Sequence, residues 1–288
     1  MSALSLMLAA LRARPWQTAS ILVSLFGDAI APRGGEAPLT LLADVLGGFG
    51  IDHVAVRKAT SRLVAEGWLE RRRHGRRSFF RLAPEGHETF AAAAAHIYGP
   101  APPVLNGFRL AVLPPDGPRA IPPALRAAGW AWLAPGVLIA PAAAEWPLPE
   151  RALRMAAEAA GGAARAIATR VWPLDEIASR YDAFIADFEP AAEALHHETP
   201  AGIDALRARL LVLHQYRRAV LRDPKLPVTI LPANWPGHHA RTLCAEIYLR
   251  LVGPAEAWLD TTGLPPAMNP VTSRFADLDF AAIRDRNS

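Results

Sequence analysis

The chain has 288 residues, 51% of them apolar, with a formal charge of +4 and a pI near 9.7. That length exceeds one ordinary domain and that apolar fraction can fill two or three cores, which excludes wholesale disorder. The basic balance permits a polyanionic partner, but the 29 arginines against two lysines (Lys58 and Lys225) reflect an Arg-, Ala- and Pro-rich composition, so only clusters of arginine inform.

A single cysteine, Cys244, rules out an internal disulfide framework or a Cys-based zinc site, and its surroundings, RTLCAEIYLRL, are those of a buried structural thiol. The opening MSALSLMLAALRARPW has no positive residue ahead of its apolar stretch and no cleavage signal, so it reads as a helix or frayed terminus, not a signal peptide. No run of 18 apolar residues occurs, so no membrane partner is expected and a cytoplasmic protein is the default.

In chain order, Ala19, Leu22, Val23 and Phe26 repeat at helical spacing and predict a helix over 16–26. GDAIAPRGGEAP, over 27–38, has connector chemistry. A second helix is predicted to open with Thr40 as N-cap and to stop at Gly47-Gly48, and Asp52 is the expected N-cap of a third, which ends before Gly67. On that third helix Ala55, Val56, Ala59, Leu63 and Val64 share one side, the core stripe. The opposite side presents Val54, Arg57, Lys58, Ser61 and, at its edge, Arg62.

Such a face suits a major groove, since Arg grips guanine O6 and N7, Ser bonds bases or phosphates and Val meets a thymine methyl; it is equally the composition of an ordinary solvated face. The next stretch weighs the choice. Two short strands enclose Arg71, Arg72, Arg73, His74, Gly75, Arg76 and Arg77, and from 71 to 81 there are six arginines and no acid, with glycine where a turn needs a positive φ. Helix, turn, helix and a basic hairpin make a winged helix-turn-helix, whose cationic tip neutralises phosphates or enters the minor groove.

A helix over 85–98 follows and ends at the proline-rich boundary 99–103. Beyond it, strands are expected at 107–113, 130–133, 137–140 and 166–172, with helices at 124–128 and 150–160. That order, βαββαβ, predicts a ferredoxin-like module. Metal-dependent nucleases with such a fold place an aspartate at the end of the first strand, where this chain has Leu113-Pro114-Pro115 and only then Asp116, so nuclease chemistry is not expected.

Amphipathic helices are predicted at 174–188, 203–222 and 238–251, with a turn at 256–259 and a rigid loop over 223–237 that holds four prolines. The tail from Gly263 lacks periodicity, as a mobile segment would. His214, Tyr216, Arg217, Arg218 and Arg222 gather on one helix near Trp235. An aromatic or acyl group against Tyr216 and Trp235, with arginines on phosphates, would suit a CoA thioester. The competing reading has the arginines solvated or paired with glutamates and Trp235 plugging the core. His196-His197 and His238-His239 lack an acidic partner four residues on, so no metal site is expected. No nucleophile elbow, P-loop, dinucleotide fingerprint or H-E-x-x-H is present, and no catalytic residue or cofactor is assigned.

FGDAIAPRGG (26–35), GFGIDHVAVRKATSRLVAEGWL (48–69) and GRRSFFRL (75–82) resemble the N-terminal domain of the PaaX family. LVLHQYRRAVLRDPKLPVTILPANWPG (211–237) is similar to that family's C-terminal signature, and GWAWLAPGVLIAP to its central region. Family proteins usually carry a tryptophan-rich opening strand there, where this chain has Phe108 and a short, proline-laden segment. The resemblance implies a bacterial transcriptional repressor of phenylacetic-acid degradation, released from DNA by phenylacetyl-CoA or a related acyl-CoA. A homodimer on a palindromic double-stranded operator is the expected arrangement. An enzyme acting on an aryl-CoA substrate, with the winged helix as accessory, is the alternative, and a winged helix used only for protein contacts is a third reading. The expected fold class is α+β: a winged helix-turn-helix with trailing helix (16–98), a ferredoxin-like domain (104–173), a helical domain (174–262) and a tail (263–288).

Overall fold

The computed structural model describes residues 2–11, 17–100, 107–122, 125–126, 128–145, 148, 151–159, 161–268 and 274–278. Helices and two antiparallel sheets make it an α+β protein. The chain divides into two compact units, one of Met1–Gly99, Ala183–Arg217 and His239–Ser288, the other of Pro100–Asp182 and Arg218–His238.

The first unit opens with α1 (Ala3–Leu11), which buries Ala3, Met7 and Leu11 at four-residue spacing, and α2 (Thr18–Leu25). The segment expected to be a connector is not one. After α2 the chain continues through a π turn (Phe26–Ile30) and a 3-10 turn (Ala31–Arg33), burying Phe26, Asp28, Ala29, Ile30 and Arg33, before β1 (Glu36–Pro38). Thr40 caps nothing, because α3 (Leu39–Gly47) already begins behind Pro38. Next come α4 (His53–Ala65), β2 (Leu69–His74), β3 (Arg77–Leu82) and α5 (Pro84–Tyr98), with the strands ordered β1-β3-β2.

Asp28 explains why its segment is core. It is 1% exposed, and both its oxygens meet charge: Arg209 lies 2.9 Å away and Arg274 bonds it directly, while the Tyr98 and Tyr248 hydroxyls each donate at 2.9 Å. Arg209 also holds Glu256 at 2.6 Å, and Glu256 in turn holds Arg33 at 2.7 Å. Burial alone would raise the Asp28 pKa, yet the two guanidiniums and two phenols outweigh it and hold the carboxyl below its ordinary value. The same burial, with the Asp28 charge, pushes both phenols up and keeps them hydrogen-bond donors.

Two long helices supply Arg209, Tyr248 and Glu256, namely α8 (Gly202–Val220) and α9 (Gly237–Asp260); α7 (Leu174–His197) precedes them. α7 runs nine residues past its expected end at Phe188, carrying Pro190 inside it, and α9 joins the segments predicted apart across Pro254. A proline costs a helix one backbone bond. The apolar face is worth more: Phe188, Ala191, Ala192 and Leu195 flank Pro190, and Leu251, Val252, Ala255 and Leu259 flank Pro254, all buried. Cys244 is buried in α9, as its surroundings suggested, and burial pushes its thiol up. The described part of the tail is anchored, not loose: Met268 N–H donates to Pro32 O, and Phe275 is fully buried against Tyr98 and Tyr248.

The second unit contains β4 (Phe108–Val112), β5 (Ala131–Ala134), β6 (Val137–Pro141), β7 (Leu153–Ala157) and α6 (Gly161–Val171). Its sheet is ordered β5-β6-β4-β7 and every pairing is antiparallel. The expected βαββαβ order therefore fails over 150–172, where strand and helix have changed places. LRMAA lacks β-branched residues, but pairing with the open side of β4, from Phe108↔Ala157 to Val112↔Leu153, makes it a strand. Ala164, Ala168 and Trp172 sit at helical spacing and cover Phe108 and Ile139 from one side, while Ala111, Leu138, Ala140 and Trp130 pack on the other. Of the helix expected at 124–128, Leu125 and Arg126 are helical, and residues 124 and 127 lie outside the described residues, as does most of the proline-rich boundary after Pro100.

Replacing Asp28 with Asn should destabilise the protein by about 3–5 kcal/mol, since it removes the buried charge that Arg209 and Arg274 share. A folded-state carboxyl held below 3.8 contributes stability above that pH and loses it as pH falls through its folded value. The gap between wild type and Asp28→Asn in denaturant melts is thus expected to be full at pH 7 and to narrow below about pH 4; a gap independent of pH would contradict this account.

Candidate nucleic-acid interface

α4 is fixed at both ends by local chemistry. Asp52 accepts the Ala55 N–H at 2.7 Å, the N-cap expected of it, and Trp68 N–H returns to Leu63 O at 2.9 Å as the chain leaves toward β2. Val56, Ala59 and Leu63 are buried as the stripe predicts, joined by Thr60, whose hydroxyl donates to Arg57 O at 3.0 Å. Ala55 and Val64 are half-buried at the margins.

On the other side Val54, Arg57, Lys58, Ser61 and Arg62 are all exposed. Val54, 59% exposed, is a large apolar side chain that no core claims. Ser61 donates back to Arg57 O at 2.9 Å, and Arg62 is engaged by Glu66 at 2.6 Å, so of these cations Arg57 and Lys58 are without a carboxylate partner among the described residues. His53, exposed on the first turn beside Val54, is a further polar group on this end, outside the face that helical periodicity picks out.

The hairpin begins from an apolar base. Leu69, Phe80 and Leu82 are buried, and the register pairs Leu69↔Leu82, Arg71↔Phe80, Arg72↔Phe79, Arg73↔Ser78 and His74↔Arg77. Gly75 takes φ 61° at the first loop position, as a two-residue primed turn requires. Side chains alternate across a strand, so Arg71 and Arg73 lie on the face that carries Ser78, and Arg72 and Arg77 on the other. Arg71 donates to Ser78 Oγ at 2.9 Å, while His74 meets Glu36 at 3.2 Å and the Phe79 ring edge-on. Arg72, Arg73, Arg76 and Arg77 are exposed and have no carboxylate partner among the described residues. A ribbon with cations on both faces and at its tip can lie along a polyanion but cannot aim all its charges at one point.

The residues of the second expected cluster have different surroundings. His214 and Tyr216 are buried, His214 bonded to Ser24 at 2.8 Å and Tyr216 against Phe184, and Arg217 donates to Ser20 O and Oγ. All three belong to the first unit, whereas Arg218, Arg222 and Trp235 belong to the second. Arg218 is exposed, and Trp235 is half-buried with its ring edge-on to Tyr181 at 5.9 Å. Arg222 lines a cleft of about 420 Å³ with Arg126, Trp132, Trp172, Ile121 and Pro224. His196 is engaged by Glu246 at 3.2 Å and His239 by Glu189 at 3.4 Å. Among the described residues no helix is long and apolar enough to cross a membrane.

A family model described as PaaX-like protein matches residues 17–86, and one described as PaaX-like protein C-terminal domain matches 172–261. The transcriptional repressor PaaX of Escherichia coli (strain K12) is 34% identical over 275 residues, covering 88% of this chain and 86% of that protein. Among solved structures, the uncharacterized protein Rv0674 from Mycobacterium tuberculosis superposes with a TM-score of 0.54 at 17% identity, covering 83% of this chain and 97% of the other, a likeness of fold alone.

Asp52→Ala should lower stability by about 1 kcal/mol through loss of the cap that starts α4. Urea melts would show it as a smaller midpoint at unchanged slope, and an unchanged midpoint would mean the cap is idle.

Proposed function

The chain belongs to the PaaX family, and we propose that it is a transcriptional repressor that grips double-stranded DNA with a winged helix-turn-helix formed by α3, α4 and the β2–β3 hairpin. The observation that carries this reading is the division of α4: Val56, Ala59 and Leu63 are buried, while Val54, Arg57, Lys58 and Ser61 are exposed beside a hairpin of exposed arginines. α4 enters the major groove, where Arg57 and Lys58 are suited to guanine O6 and N7 and Val54 to a thymine methyl. Wing arginines neutralise phosphates and supply the salt-dependent, sequence-independent share of affinity.

Two copies on a palindromic operator place two α4 helices in successive grooves, and occupancy of the promoter represses it. An aryl-CoA such as phenylacetyl-CoA relieves repression by binding the DNA-incompetent arrangement more tightly, since a ligand indifferent to the two states shifts nothing. The 420 Å³ cleft of the second unit supports this part of the reading: Trp132 and Trp172 offer indole surface and Arg126 and Arg222 offer cations for phosphates, with Glu176 of the same lining 3.9 Å from Arg222 as the group a phosphate would displace. The Trp172 indole N–H is already spent on Gly129 O, at 3.2 Å. The protein is read as a cytoplasmic regulator, not an enzyme; formation of a product from aryl-CoA thioesters would favour the enzyme reading instead.

Arg57→Ala and Lys58→Ala should each weaken specific binding by roughly 1–3 kcal/mol, while Arg76→Ala and Arg77→Ala should each reduce the salt slope by about one with little change in sequence preference. Gel shifts in which all four bind like wild type would overturn the DNA reading. For the effector, calorimetric titration with phenylacetyl-CoA should show Arg222→Ala and Trp132→Ala weakened by about tenfold or more, whereas unaltered binding would remove the cleft from the account.

A further inference from the structure

The α3–α4 turn is held by a residue of α8. A helix leaves its last carbonyls without intrahelical partners, and in α3 two of these are taken by one guanidinium. Arg207 of α8 donates through Nη2 to Asp44 O at 2.7 Å and through Nε to Val45 O at 3.1 Å, and its Nη1 is steadied by Asp204 at 2.8 Å. The neighbouring glycines then become intelligible. Gly48 has φ −62° and ψ −16°, ordinary right-handed backbone that any residue adopts, so its conformation does not call for glycine. Space does: a Cβ there would lie 2.2 Å from Arg207 Nε and 2.6 Å from its Cδ and Cζ, whereas a Cβ at Gly47 would meet nothing within 4 Å. Arg207 and Gly48 are a lock and its clearance.

Arg207 lies in the stretch matched by the C-terminal family domain and Gly48 in the stretch matched by the N-terminal one, within the same compact unit. α8 carries three further ties to the N-terminal segment, Arg209 to Asp28, His214 to Ser24 and Arg217 to Ser20. Arg207 is the one that reaches the turn from which α4 departs.

We propose that Arg207 is a positioning residue for DNA recognition, which fixes the α3–α4 turn and so lets α8 set the affinity of α4 for its site without touching DNA. This rests on the DNA reading above. It predicts coupling of a particular kind. Arg207→Ala loosens the turn, Gly48→Ala expels the guanidinium and loosens it by the same route, and in the double variant the new methyl occupies space already vacated.

The test measures wild type, Arg207→Ala, Gly48→Ala, the double variant and Arg207→Lys against a duplex that wild type selects from a random-sequence pool, and against a scrambled duplex, across a salt series. Thermal melts confirm that each is folded. Each single variant should lose about tenfold in affinity for the selected duplex, with the scrambled duplex and the salt slope unaltered, and the double should be no worse than Arg207→Ala. Arg207→Lys, which keeps charge but lacks the fork, should recover only part of the loss. Single variants that bind like wild type, or losses that add in the double, would overturn the proposal. So would a salt slope reduced by about one in Arg207→Ala, because it would make Arg207 a phosphate contact. A wild-type protein that selects no sequence would overturn the DNA reading itself, and this proposal with it.

Discussion

A carboxylate buried at Asp28 is the constraint on which the first unit depends. An isolated buried charge is prohibitively costly, so the fold must bring counter-charges to it, and it draws them from distant parts of the chain: Arg209 from α8, Arg274 from the tail, and the phenols of Tyr98 and Tyr248. Arg209 passes the network on to Glu256, which Arg33 shares. Such a network adds little to stability over an apolar core of the same shape, but it is unforgiving of mispacking, because any lost partner strands a charge. It therefore specifies one arrangement of the N-terminal segment on α8 and α9. α3, α4 and the β2–β3 hairpin start from that arrangement.

Division of labour along α4 follows from the same logic. Its buried side is small and apolar, Val56, Ala59 and Leu63, with Thr60 satisfied within the helix, so the helix is held by packing and its polar groups are left for the exposed side. The hairpin repeats this arrangement with a base of Leu69, Phe80 and Leu82 and a tip of arginine. For the proposed function rigid placement matters, because base readout needs side chains held to within a hydrogen bond's tolerance, whereas phosphate neutralisation tolerates a looser ribbon.

What the sequence made legible was local. The Asp52 cap, the α4 stripe and the Gly75 turn each depend on a few adjacent residues, and all three stand where their chemistry put them. What it hid was tertiary. GDAIAPRGG reads as a connector because nothing nearby shows that Asp28 will meet two arginines, one of them 246 residues on. Over 150–172 the pairing of LRMAA with β4 outweighs its propensity, and the helix that follows shows in the sequence only as the four-residue spacing of Ala164, Ala168 and Trp172. Pro190 and Pro254 read as stops, yet buried apolar residues on both sides carry the helices through. His214, Tyr216 and Arg217 gathered on one helix in sequence, but burial took the first two and Ser20 the third.

The central claim is that α4 and the β2–β3 hairpin are the surface that meets DNA. Hydrogen exchange of the whole protein, free and bound to a duplex selected from a random pool, tests it most directly. The account predicts added protection confined to residues 53–65 and 69–82, with the sheet of the second unit unchanged. Protection absent from both segments, or found instead in residues 108–157, would contradict it.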